Sequence, residues 1–338
     1  MVIIMALKDM SKNYINVLKV LAMLFVICMH VISKAIPNYQ VGTSTYNILI
    51  GLDILLRTSV PLFVLISGNL VLNRNYTIKD VITRLIEYYI YYVIFNSMYM
   101  ILDQVFINKA TFDLNILKNA FIDLLCVKTI YQMWYFKIIF ITYASIPIFQ
   151  FIIKRNNMIL DTITLGLLVI LFQILPWFVP VFYANYTYLL VFLTYFFLGY
   201  YVMKYKFKFE DILMLLIFIG SYIYTYNKTV ALDHDYYYLN FMFFNTMFMS
   251  VSLFKMSGLI EKIMVNISMN NVIRYLAKLS FPIFIFHGMV IGGLSSVGVI
   301  NIYTYDNLIF ILTNTLIVYF ISGIAGVILY DVFNISRK

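Results

Sequence analysis

The chain has 338 residues, of which 63% are hydrophobic and 12% charged, and its mean hydropathy is +0.90. No soluble core of this length uses so much apolar surface, and the apolar runs are continuous rather than alternating, so a water-soluble fold and a closed β-barrel are both excluded. The net charge of +9 reports orientation in such a chain rather than a nucleic-acid partner, and the two cysteines, Cys28 and Cys126, imply no disulfide framework.

Repeated apolar runs of about twenty residues predict an all-α, polytopic transmembrane bundle of about ten spans. The spans are expected near residues 14–34, 47–72, 82–105, 134–153, 158–178, 186–204, 211–227, 238–255, 279–300 and 308–332, within one integral-membrane domain over 1–338. No cleavable signal is expected, because the first apolar stretch is too long and lacks a small-residue cleavage site. Of the 24 Lys and Arg, Lys19, Arg57 and Lys137 fall inside spans. With the N-terminus in the cytoplasm, only Lys34, Lys109, Lys118, Lys128 and Lys228 fall outside, and the other sixteen fall inside. That asymmetry predicts a multi-pass protein of the cell membrane with both termini cytoplasmic.

The first span carries Asn16, Lys19 and His30 among apolar residues. Eleven residues at about 100° each bring Lys19 and His30 to one helix face. Ionisable groups in hydrocarbon are costly unless they face a bundle interior or water, so the stripe is expected to point inward. Imidazole serves as general base or nucleophile in acyl transfer. In the second span Asp53 and Arg57 stand one turn apart, in the order of an ion pair; Pro61 should interrupt the helix, and Ser67-Gly68 should permit close helix approach. This is either a structural clasp or part of a ligand site. Arg84, with Glu87 and four tyrosines behind it, is either a topology anchor or a phosphate contact.

Residues 106–133 carry Leu114, Leu117, Phe121, Leu124 and Leu125 at helical spacing, as a helix lying on the membrane or capping the bundle would. Trp134-Tyr135 reads as an interfacial belt, with Lys137 a turn deeper. Residues 256–278 read as an interfacial amphipathic helix. The ninth span holds Ser280-Phe-Pro282-Ile-Phe284-Ile-Phe286-His287, where a neutral histidine either bridges helices or joins the chemistry. His234, between Asp233 and Asp235, reads as a solvated loop residue.

At these residues the chain resembles the integral-membrane acyltransferase family three. The resemblance spans nearly the whole chain. It rests on Lys19 with ten residues to His30, on Arg57-Thr-Ser-Val-Pro61-Leu-Phe63-Val-Leu-Ile-Ser67-Gly68, on Trp134-Tyr-Phe with Tyr143, Pro147 and Tyr195-Phe-Phe-Leu-Gly199-Tyr-Tyr, and on Ser280-Phe through His287. It departs from the family pattern at Asn16, at Glu87 (where a second arginine is usual) and at Gln132 (where a histidine is common).

The resemblance implies a membrane O-acetyltransferase with cytoplasmic acetyl-CoA as donor and no metal. The acceptor would be a hydroxyl of a cell-surface polysaccharide or lipid-linked glycan. His30, Lys19, Arg57 and His287 are then the catalytic candidates, and Lys19, Arg84 and Asn16 hold the donor. No extra extracytoplasmic domain is expected, so transfer is completed within the bundle. Two other classes bury a few ionisable groups in the same way: a secondary transporter, for which paired repeats are absent, and a non-catalytic export partner in glycan assembly. The acceptor, the acyl group and the oligomeric state are not written in the sequence.

Overall fold

The computed structural model describes residues 2–102, 118, 122, 131–179, 189–205, 210–231, 239–264, 270–304 and 307–333. Among these, the regular structure is helical and contains no strand. In order the helices are α1 (Val2–Ile32), α2 (Ser44–Leu56), α3 (Ser59–Leu72), α4 (Ile78–Leu102), α5 (Tyr135–Ala144), α6 (Ile146–Ile153) and α7 (Met158–Val169). They continue with α8 (Val191–Lys204), α9 (Glu210–Ala231), α10 (Phe244–Met264), α11 (Asn270–Lys278), α12 (Ser280–Ser296) and α13 (Leu308–Phe333).

Each expected span overlaps helix where its residues are described. Among the described residues four stretches, Tyr14–Asn38, Ser44–Leu72, Gln132–Ile153 and Leu308–Ile328, are by themselves long and apolar enough to cross a bilayer. A fifth is the bent pair α11–α12. The expected helix over 106–133 lies almost wholly outside the described residues, as does His234. The reading of 256–278 as one interfacial helix is corrected in part. Its first nine residues continue α10 to Met264, and only Asn270–Lys278 forms a separate amphipathic helix. An apolar stripe of period 3.6 looks the same whether a helix lies on the membrane or simply runs on out of it.

Prolines place the interruptions. A proline lacks the N–H that would bond the carbonyl four residues back, and its ring crowds that carbonyl. Pro61 removes the bond to Arg57, and the second span breaks at Arg57-Thr58, between α2 and α3. Pro147 removes the bond to Tyr143, and α5 gives way to α6 at Ser145. Pro282 removes the bond to Lys278, and α11 meets α12 at Leu279 with a 60° bend. Ahead of Pro176, α7 passes into a π-helical turn, Ile170–Ile174.

The helices group into two compact units, residues 1–73 with 158–338, and residues 74–157. In the larger unit α1 is central, packing against α2, α3, α10, α11, α12 and α13. Leu18, Ala22, Met23, Ile27, Val31 and Ile32 are wholly buried along it. The tightest seam joins α3 to α8. A Cβ at Gly68 would lie 1.8 Å from the Phe196 carbonyl oxygen, and one at Gly199 would lie 2.0 Å from that of Leu65. Without a hydrophobic drive between helices in lipid, such backbone approach supplies the van der Waals contact that holds them. Exposed stripes such as Ile309, Leu312, Leu316, Phe320, Ile324 and Ile328 on α13 run along the outside, where lipid covers them.

In the smaller unit α4 packs on α5 through Tyr89, Tyr92, Phe136 and Phe140. Its start is fixed by a reciprocal cap: Asp80 N–H donates to the Thr77 hydroxyl at 3.2 Å, and Asp80 Oδ2 accepts from Thr77 N–H at 2.8 Å. The Gln150 amide donates to the Arg74 carbonyl and its oxygen accepts from Tyr76 N–H at 3.4 Å, tying α6 to the entry of α4.

Candidate active site

Helix α1 is unbroken from Lys19 to His30, so the expected shared face holds: the two side chains are offset by about 20° and about 16 Å along the axis. Lys19 and Asn16 are half-buried, about three and four turns below. His30 meets a second imidazole. The rings of His30 and His287 stand 5.3 Å apart, centroid to centroid, tilted by 36°. His287 sits two turns into α12, just past the bend before Pro282, with Phe284 at 6.0 Å on its own helix. Its Nδ1 lies 2.7 Å from the Phe284 carbonyl oxygen and 3.3 Å from that of Ile283. Its Nε2 is buried without a hydrogen-bond partner.

Arg57 joins this pair from the α2–α3 break, close enough for its charge to bear on the His30 ring. Its Nε lies 3.3 Å from each oxygen of Asp53, and its Nη2 lies 3.2 Å from Oδ2. Asp53 is wholly buried, whereas Arg57 keeps 25% of its side chain exposed. The carboxylate fixes one edge of the guanidinium and leaves the other edge turned away from it. Cys28, two residues before His30, is buried on the same helix. Three segments remote in sequence thus place two imidazoles, a guanidinium and its carboxylate together inside one helical unit.

A second polar cluster in the same unit is built differently. Asp161, wholly buried near the start of α7, takes Lys204 Nζ at 3.0 Å and the Tyr205 hydroxyl at 2.7 Å. Through the same Tyr205, Lys255 adds to the cluster: its Nζ bonds Glu210 at 2.8 Å and the Tyr205 carbonyl at 3.4 Å. These bonds clasp α7, α8, α9 and α10. In the smaller unit, Arg84 bonds Glu87 at 2.9 Å with both side chains about one-third exposed, so a phosphate there would compete with that carboxylate. Beside it the Tyr88 and Tyr143 hydroxyls lie 3.4 Å apart, and the Gln132 amide donates to the Tyr99 hydroxyl.

The family model Acyl_transf_3, described as an acyltransferase domain, matches residues 12–334. The chain belongs to acyltransferase family 3. No curated protein and no solved structure matches it. It is therefore an acyltransferase with helices suited to a multi-pass membrane protein. Gly68 and Gly199 form the close α3–α8 seam, and Pro61 follows the break that carries Arg57. His30, Arg57 and His287 converge; Lys19 and Asn16 share the helix of His30; Arg84 lies in the other compact unit.

Sequence reasoning missed Asp161 and Gln173. Asp161 did give a signal: a carboxylate three residues into an apolar run needs a partner. Gln173 is wholly buried in the π-helical turn with neither end of its carboxamide bonded, and a carboxamide in mid-span was the sign of it.

Proposed function

We propose that this acyltransferase moves an acetyl group from cytoplasmic acetyl-CoA to a hydroxyl of a cell-surface polysaccharide or lipid-linked glycan, within a cell membrane in which both termini face the cytoplasm. The observation that carries the reading is the His30–His287 pair set beside the Arg57 guanidinium on the inward side of α1. In coenzyme A the thioester and the phosphates lie at opposite ends of a long flexible arm. Lys19 and Asn16 suit the anionic end, about 16 Å from His30 along one helix face. Arg84 is the other candidate for a phosphate, once released from Glu87. His30 either removes the proton of the acceptor hydroxyl or takes the acetyl group itself, and Arg57 steadies the oxyanion that forms on the way.

The test uses the full chain in proteoliposomes with acetyl-labelled CoA and the extracted surface glycan of the producing cells. Label is expected to enter the glycan as alkali-labile ester, and His30→Ala is expected to reduce its rate at least about 100-fold. Undiminished transfer by His30→Ala removes His30 from the mechanism. Counterflow of solute with no ester formed would put the transporter reading in its place.

A further inference from the structure

The two imidazoles are not equivalent. A carbonyl oxygen only accepts, so the nitrogen of His287 that faces the Phe284 and Ile283 carbonyls carries the hydrogen. That fixes the neutral ring as the Nδ1–H tautomer, with its lone pair on Nε2. This atom is buried and has no hydrogen-bond partner. A histidine kept only to join two helices would spend Nε2 on a neighbour, since buried polar atoms in folded proteins are nearly always bonded. Here His30 is the adjacent ring, yet no bond closes between them.

Building on the acyl-transfer reading above, we propose that transfer is direct and that His287, not His30, is its general base, with Nε2 as the atom that takes the proton of the acceptor hydroxyl. As that O–H bond breaks, the oxygen bonds the acyl carbon of the thioester and the carbon–sulfur bond breaks. The proton then passes from Nε2 to the departing sulfur, so thioester and alcohol become ester and free thiol with no proton gained or lost. While the ring is charged, its Nδ1–H donates to two carbonyl dipoles. They orient and stabilise the imidazolium as a buried carboxylate does in a serine-hydrolase triad.

Two variants test the assignment in the same proteoliposome assay. His287→Asn keeps a donor for the two carbonyls and removes the Nε2 position. His287→Gln keeps a polar atom near Nε2 that bonds but takes no proton. Both are expected to lower kcat at least about 100-fold. KM for acetyl-CoA should stay within about threefold, and the solvent deuterium effect on the wild-type rate should disappear. Either variant within about threefold of wild-type kcat overturns the assignment, as does a loss that lies in KM alone. Wild-type protein that transfers no acetyl group overturns the acyltransfer reading and this assignment with it. Active wild type beside equally active variants overturns the assignment only.

Discussion

Two buried ion pairs in the larger unit use similar chemistry for different ends. Asp53–Arg57 lies on a single chain segment, four residues apart, and holds nothing together that the helix does not already hold. Asp161–Lys204, with the Tyr205 hydroxyl on the same oxygen, joins helices more than forty residues apart in sequence. In the first pair the carboxylate is spent on aiming a cation whose other edge stays available beside an imidazole. In the second the cation is consumed by the clasp. A buried charge pair therefore signals function less by its burial than by whether its cation keeps an edge turned toward another reactive group, since Asp161 Oδ1 is itself buried and unbonded.

The largest expected effect follows from that difference at Arg57. Arg57→Lys keeps a cation against Asp53, so the fold should keep its melting temperature to within a few degrees. It removes the planar fork, and acetyl transfer should fall about 100- to 1000-fold. Equal transfer by the lysine variant would mean that only charge matters at this position. At the clasp the expectation is reversed. Asp161→Ala strands Lys204 against buried surface, a loss of about 3 kcal/mol, at the low end for a broken buried pair because Lys204 is 23% exposed and partly rehydrates. Thermal unfolding in detergent should report it, while the protein that remains folded transfers at near the wild-type rate. A double variant, Asp161→Leu with Lys204→Met, should recover most of the lost stability, because an apolar pair of similar volume avoids the desolvation that the ions incur. Failure to recover would show that the clasp fixes a geometry that the site needs.

The helices were legible because about twenty apolar residues in a row have no other stable form in a bilayer, and the breaks because proline removes a specific bond. Lys19 and His30 shared a face by spacing alone, and that spacing survives because nothing interrupts α1 between them. What the sequence could not supply was the meeting of His30 with His287. Their contact depends on how α12 leaves its bend and packs on α1, and no local pattern encodes that packing. The partner of Lys204 was hidden for a related reason: only the fold brings Asp161 to it.

A third carboxylate sharpens the comparison from the exposed side. Asp80, fully at the surface ahead of the apolar stretch of α4, is held below the usual carboxylate range by hydrogen bonds, first from the Thr77 hydroxyl and then from its N–H. A group whose folded value is depressed contributes stability that is complete above its unfolded pKa, about 3.9 for aspartate, and is lost as the pH falls through the lower folded value. The first turn of α4 should therefore keep its amide-exchange protection at pH 5 and lose it in stronger acid. Thr77→Ala should move that loss upward, toward the ordinary aspartate value. Transfer activity at neutral pH should be unchanged in the variant, because water replaces at an exposed cap what nothing replaces around Asp53 or Asp161. A large loss of activity from Thr77→Ala would mean that the entry of α4 does more than start a helix.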